Sequence, residues 1–141
     1  MKSGRGFSLI ELLIVFLIIG VIAGMAIPRL IESRMAANEA SAISSLRSIT
    51  TGQFIYWSNG RSEFAATLAD LEAEGLADSG LGSGEKDGYT FTVAGVGVTY
   101  TAHADPVSNR TGTRYFFTDE SGVIRFALGG QAGPGSPALG E

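Results

Sequence analysis

The stretch that decides the fold is FSLIELLIVFLIIGVIAGMAI, residues 7–27. It is 21 residues long, and Glu11 is the only charged residue within it. As a helix, a segment of this length spans roughly 31 Å, about the thickness of the hydrocarbon core of a bilayer. An acidic side chain inside a membrane costs about 2.5–3.5 kcal/mol on insertion scales. The segment therefore predicts a membrane-spanning helix that carries one carboxylate at a substantial energetic cost.

Two simple interpretations of this segment leave Glu11 unexplained. Lys2 and Arg5 precede it, and basic residues on that side favour a cytoplasmic amino terminus, as in a plain membrane anchor. A removable secretory signal is the second interpretation, because residues 24–26 (Gly-Met-Ala) place small side chains where a signal peptidase cuts. That cut would leave Ile27 as the new amino terminus. The apolar run is, however, longer than the usual 7–15 residues or so of a secretory signal.

The residues around this carboxylate form a motif of fixed spacing. A short basic leader ends in glycine, phenylalanine follows, and the glutamate is fifth counting from that phenylalanine: GFSLIE, residues 6–11. The motif resembles the signature G-F-[ST]-L-[IL]-E of type IV prepilins and of the related pseudopilins of type II secretion. Pro28 and the stretch RLIESRMAANEASAISSLRSI, residues 29–49, continue the resemblance, which becomes loose beyond about the first 50 residues.

The resemblance implies a specific processing of the amino terminus. A prepilin peptidase is expected to remove residues 1–6 as a leader by cutting between Gly6 and Phe7, and to methylate the new amino group on Phe7. Residues 7–27 then remain as the transmembrane and filament-core half of the helix. Glu11 is expected to meet the cationic amine of Phe7 in its own or a neighbouring chain, since opposite charges attract strongly at low dielectric. The alternative is that Glu11 snorkels to the lipid headgroups.

Two glycines and a proline predict a weak point in this helix. Pro28 lacks an N–H, and its ring crowds the carbonyl of Gly24 one turn earlier. Gly20 and Gly24 lower the helix propensity of the same stretch. We therefore expect a kink or a loss of helical order between Gly20 and Pro28, as pilins resembling this chain undergo on assembly. The alternative is that these residues are simply tolerated, as in many membrane helices.

Residues 28–58 predict the amphipathic half of the same helix. Apolar side chains recur at steps of three and four, which is typical of a helix packed against a core. The predicted core side consists of Ile31, Met35, Ala42, Leu46, Ile49 and Gln53. The predicted polar side, solvated or in contact with other subunits, consists of Arg29, Glu32, Arg34, Asn38, Glu39 and Arg47.

Residues 59–128 predict a globular antiparallel β head. The turn sequence SNGR at 58–61 ends the long helix, a short helix is expected within 62–77, and residues 78–88 read as a loop. Gly- and Pro-rich residues 129–141 predict a flexible tail. The fold class is α+β, a long amino-terminal helix packed on a small antiparallel sheet, which is also the pilin fold that the resemblance implies. Strands with alternating polarity are predicted at 89–95, 98–104, 113–118 and 123–128.

Composition argues against several functions. The net charge is −4 and no cluster of Lys and Arg is present, so nucleic-acid binding is not expected. Cysteine is absent, which excludes a thiol nucleophile and a disulfide. The second exclusion is a departure from many type IVa pilins, which close a carboxy-terminal loop with a disulfide.

No pattern of residues predicts catalysis, a metal or a cofactor. Hydrolase and nucleotide-binding motifs are missing. His103 and Asp105 can share a strand face, but two ligands do not make a metal site. The acidic residues Asp78, Glu85 and Asp87 lack the order of a calcium-binding loop. The chain is therefore not expected to be an enzyme.

The sequence thus predicts a structural subunit of a type IV pilus. By resemblance, it waits in the inner membrane as a single-pass precursor and polymerises through its hydrophobic helix into an extracellular filament on the cell surface. The implied partners are copies of itself, the inner membrane, the prepilin peptidase and a pilus assembly platform with its ATPase machinery. The alternatives are a pseudopilin of a type II secretion system and a minor pilin acting in adhesion or DNA uptake. An anchored or secreted enzyme is the least supported.

Overall fold

A computed structural model describes Gly4 and residues 6–140 of the chain. Most of the predicted leader and the last residue of the predicted tail lie outside this range. The chain separates into two compact units, one ending at Ser33 and the other beginning at Arg34. The amphipathic part of the helix was predicted to begin earlier, at Pro28.

The first element is the long helix α1, Leu9–Tyr56. Pro28 lies inside it, and the helix continues on both sides of that residue. The single chain therefore retains helical order between Gly20 and Pro28. Loss of that order on assembly stays a prediction.

The head follows a wide turn, Trp57–Arg61, in which Gly60 takes a φ of +82°. This left-handed conformation suits glycine and ends the helix within the predicted SNGR turn. Two short helices come next, α2 at Leu68–Ala73 and α3 at Ser79–Gly82. The strands are β1 Glu85–Lys86, β2 Tyr89–Val96, β3 Thr99–Pro106, β4 Arg114–Asp119 and β5 Arg125–Leu128.

The five strands form an antiparallel meander in which each strand pairs with the next along the chain. One face of the second half of α1 packs on this sheet, and the predicted α+β fold class, a long amino-terminal helix on a small antiparallel sheet, is confirmed. The predicted core positions Ala42, Leu46, Ile49 and Gln53 are buried. Ile31 is 40% exposed and was wrongly placed in the core, because the compact head begins only at Arg34.

Glu39 is a buried charge between the helix and β4. It is 7% exposed; its Oε1 accepts a hydrogen bond from the Thr113 N–H at 2.9 Å and its Oε2 from Arg114 Nε at 2.7 Å. The prediction that Glu39 lies on the polar side of the helix is wrong. The residue stands one turn before Ala42 and two turns before Leu46, on the face that the start of β4 covers.

The same contacts set the ionisation of Glu39. Burial alone raises the pKa of its carboxyl group, but the hydrogen bonds from Thr113 and Arg114 and the charge of Arg114 outweigh burial. The net result is a pKa below the ordinary value. The charged form of Glu39 therefore stabilises the folded head.

Residues 129–140 pack against β5, in contrast to the predicted flexible tail. The Phe126 N–H donates to the carbonyl of Pro137 at 3.0 Å, and the Leu139 N–H donates to the carbonyl of Ile124 at 2.8 Å. The segment thus covers the open edge of the sheet. Glycine and proline were taken as a sign of flexibility, but here they form the turns that bring the chain back.

We predict that Glu39→Gln weakens the head at neutral pH and flattens its acid sensitivity. The charge-assisted hydrogen bonds are worth about 1.5–3 kcal/mol in the free energy of unfolding. Because the pKa of Glu39 is lowered on folding, this contribution is present above about pH 4.3, where an unfolded glutamate ionises, and is lost as the pH falls through the folded value. Fluorescence of Trp57, the only tryptophan, reports unfolding of the full chain in detergent micelles.

Glu32→Gln is the matched control, because Glu32 is exposed. It should change neither the stability at neutral pH nor its dependence on pH. An acid-induced loss of stability in Glu39→Gln as large as that of the unmodified chain would contradict the assignment.

Candidate assembly segment

The apolar half of α1 is uncovered. Every large apolar side chain from Phe7 to Ile31 is exposed, from 40% at Ile31 to 83% at Phe7. The helix is long and apolar enough to cross a membrane, and none of its apolar window is buried inside the protein. A soluble monomer rarely exposes more than a few hundred Å² of contiguous apolar surface. This segment therefore requires lipid or other protein chains around it.

The start of the helix gives Glu11 a local partner. The backbone N–H of Ser8, the residue before the first helical position, donates to Glu11 Oε2 at 3.0 Å. The spacing Ser-x-x-Glu is that of a capping box, in which the glutamate reaches back to the N–H of the capping residue. The negative charge also lies at the positive end of the helix dipole. The sequence interpretation missed this contact, although the Ser-x-x-Glu spacing within the motif signals it.

The predicted cleavage point is accessible. Gly6 and Phe7 are both exposed and lie outside the helix, which begins two residues after Phe7. A Cβ added to Gly6 would meet nothing within 4 Å among the described atoms. Packing of the described residues thus gives no reason for a glycine at position 6.

The space beside the two glycines of the apolar half of the helix, Gly20 and Gly24, is also unoccupied by described atoms. A Cβ added to Gly20 or Gly24 would meet no described atom within 4 Å, helix backbone apart. Neither glycine is needed for packing within the single chain. Their effects are therefore on helix propensity or on contacts with other molecules.

Two of the three acidic residues of the 78–88 region, Asp78 and Asp87, have structural partners. Asp78 caps α3 by accepting from the Leu81 N–H at 2.9 Å and pairs with Lys86 Nζ at 2.8 Å. The hydrogen bond from Lys86, followed by that from Leu81, lowers the pKa of the Asp78 carboxyl. Asp87 accepts a hydrogen bond from Ser41 Oγ at 2.6 Å. Within the part of the chain that the structure describes, no three potential ligands converge as a metal site requires.

His103 and Asp105 share one strand but engage separate groups. The ring of His103 packs against Phe117 with centroids 5.1 Å apart, and Asp105 Oδ2 accepts from the Gln131 side-chain amide at 2.9 Å. These contacts hold neighbouring elements together. They do not assemble a nucleophile, a base and an orienting group of the kind that catalysis needs.

Comparison with known proteins shows what the amino-terminal segment is similar to. The family model described as the prokaryotic N-terminal methylation motif matches residues 1–27. The type IV major pilin protein PilA of Myxococcus xanthus is 41% identical over 54 residues, which are 38% of this chain and 24% of that protein. Over these residues the chain is similar to type IV pilins.

A second relative extends the similarity. The type IV wide pilus major component PilA4 of Thermus thermophilus is 36% identical over 76 residues, which are 54% of this chain and 57% of that protein. The chain thus spans less than two thirds of the length of both relatives. No solved structure matches the chain significantly.

Proposed function

We propose that the chain is a structural subunit of a type IV pilus. The observation that carries the proposal is the GFSLIE motif at the start of an apolar helix that the rest of the chain leaves uncovered. The named relatives are major components of type IV pili, which supports the same function. In a filament, the helices of neighbouring subunits would cover one another.

Before assembly, the uncovered helix would be held by the inner membrane. Its apolar side chains match a bilayer core in length and composition, so lipid would cover them in a single-pass precursor. Transfer from lipid to a filament exchanges one apolar environment for another. Assembly would therefore depend on helix packing and on specific polar contacts more than on the hydrophobic effect itself.

Processing would prepare the polar contact. A prepilin peptidase would remove residues 1–6 at the exposed Gly6–Phe7 bond and methylate the amino group of Phe7. This places a cation one helical turn from Glu11. The filament would then grow through the assembly platform and its ATPase machinery, with copies of the chain as its main partners.

Glu11 would act twice within this scheme. One carboxylate oxygen already holds the Ser8 N–H and so fixes the side chain at the helix start. The charge remains available to the amine of Phe7 in a neighbouring chain. Because a charge left unpaired in an apolar environment is costly, this contact favours one stagger between helices over all others.

We predict that Glu11→Gln and Glu11→Ala both prevent filament formation while leaving leader removal intact. Stranding one member of a buried ion pair costs about 3–5 kcal/mol, which lowers association about a hundredfold or more. Glutamine can still accept from the Ser8 N–H but carries no charge, so the pair of variants separates helix capping from ion pairing. Immunoblots of sheared surface fractions measure the yield of filaments.

Glu32→Gln is the control. It makes the same substitution at an exposed position of the same helix, so it shows whether losing any carboxylate from this helix affects assembly. It should assemble normally. Normal fibres from Glu11→Gln would show that capping suffices and would remove the ion pair from the scheme.

The proposal as a whole is tested on the native protein. We expect mass spectrometry to find a methylated Phe7 at the amino terminus, and electron microscopy to find long surface fibres that antibodies to this chain decorate. An amino terminus at Ile27 would indicate a secretory signal and refute the proposal. Processed chains confined to short structures in the envelope would also refute it, in favour of a pseudopilin.

A further inference from the structure

The most exposed apolar side chains of the head lie in only two places. Among the described residues from Arg34 onward, the four highest exposures of large apolar residues are Val96 at 79%, Leu128 at 70%, Val98 at 63% and Val107 at 52%. Val96 and Val98 flank the β2–β3 turn. Val107 and Leu128 line a groove elsewhere on the head. Two compact apolar surfaces on one small head call for an explanation.

The first surface, here called the tip, is the turn around Gly97 with Val96 and Val98 on either side. Gly97 takes a φ of +58°, as a tight hairpin turn requires. Turns of this kind usually carry polar residues, because they face water. Two valines at such a turn are better suited to contact with another protein.

The tip is held firmly to the rest of the head. The carbonyl of Gly97 accepts from the Phe64 N–H at 2.9 Å, next to Ala65 in the chain. Ala65 is in turn fixed to the helix by Gln53, whose side-chain amide accepts from the Ala65 N–H at 2.8 Å and donates to the Ala65 carbonyl at 3.0 Å. Gln53 is fully buried. The tip is thus a rigid projection, so docking it costs little conformational entropy.

The second surface is a groove of about 440 Å³ at the start of β4 and the end of β5. Apolar atoms make up much of its lining. Its wall is fastened to α1, because Asn38 Nδ2 donates to the carbonyl of Thr111 at 3.0 Å. The lining residues that matter here are Pro106, Val107, Tyr115 and Leu128.

The tip and the groove lie at opposite ends of the sheet. In the β2–β3 pair, Val96 faces Thr99 at one end and Tyr89 faces Pro106 at the other. Leu128 pairs with the first residue of β4, which begins at the Pro106 end. From Thr99 to Pro106 a strand covers about 23 Å. One copy therefore cannot fill its own groove with its own tip.

We propose that the tip of one copy docks into the groove of a neighbouring copy. A contact between two different surfaces at opposite ends of one molecule is heterologous, and such contacts repeat into open helical assemblies instead of closing into a dimer. The inference rests on the proposed filament and adds a head-to-head contact to it. Val96 and Val98 would be covered by the ring of Tyr115 and the side chain of Leu128.

Charge gives a smaller argument for the same partner. Glu120 lies at the tip end, where its Oε2 accepts from the Tyr100 N–H at 3.4 Å. Arg110 lies in the loop that walls the groove, and Asp105 at that end is already engaged by Gln131. Docking of tip into groove would bring an acid and a base to the rim of the contact, where such pairs favour the correct register.

Cysteine cross-linking tests the contact directly, since the natural chain has no cysteine. The full-length double variant Val98→Cys/Leu128→Cys, assembled on cells and treated with a short bismaleimide, should give a ladder of dimers, trimers and higher multimers. Each single variant should give no cross-linked dimer, because neither tip meets tip nor groove meets groove. Fibres of the double variant without a ladder would overturn the proposal.

A charge variant provides an independent measurement. Val98→Asp places a carboxylate where the groove would desolvate it, and we expect the yield of surface fibres to fall at least tenfold. Thr92→Asp puts the same charge at an exposed position within β2, away from the tip, and should leave the yield within twofold. Equal yields from Val98→Asp and Thr92→Asp would overturn the proposal. This measurement does not depend on cross-linking, so it decides even if the double-cysteine chain fails to assemble.

The outcomes also separate this contact from the filament itself. A wild-type chain that forms no fibres removes the proposed function, and the head contact with it. In a third outcome, fibres of Leu128→Cys protect their cysteine from maleimide, whereas fibres of the double variant give no ladder. The groove is then covered by something other than the tip. That result overturns this contact alone and leaves the filament intact.

Discussion

The constraint on which this molecule depends is an apolar helix that its own chain does not cover. From Phe7 to Ile31 every large apolar side chain is exposed. Burial of apolar surface is worth roughly 25 cal/mol per Å², so a helix of this kind in water would drive non-specific association. Lipid would cover this surface, and so would the helices of other copies in the proposed filament. The proposed membrane storage and the proposed self-assembly would thus be two solutions to the same physical problem.

The second half of the helix has a different role. It holds the small sheet in place in a chain that has no disulfide. Glu39 fastens the start of β4, and Gln53 fastens the segment at Phe64 and Ala65 that hydrogen-bonds to the tip. At the end of the chain, the Gln131 side chain bonds to Asp105, and Ala132 is buried. These polar contacts secure the head in a chain that has no cysteine. Unlike a disulfide, they leave the head sensitive to pH.

Polar side chains thus appear wherever a contact must be specific. Glu11 carries the only charge of the apolar segment, and Glu39 is a buried charge of the head. Apolar packing alone tolerates sliding of one helix along another, because neighbouring registers bury similar areas. A buried carboxylate does not, since every register except one leaves it unpaired. Within the head, Glu39 and Gln53 select the geometry in this way, and Glu11 would have the same role between copies in the proposed filament.

The sequence by itself determined the long helix, the four main strands and the motif GFSLIE, because these signals are local. An apolar run, an alternation of period two and a fixed spacing can all be read within a few residues. The positions of Glu39, the packed carboxy-terminal segment, and the tip and groove were decided only by the tertiary structure. Whether a glutamate on a helix is solvated depends on a strand that begins at Arg114, far along the chain. A glycine-rich segment is ordered when a strand edge such as β5 offers it hydrogen bonds, and local composition carries no record of that edge.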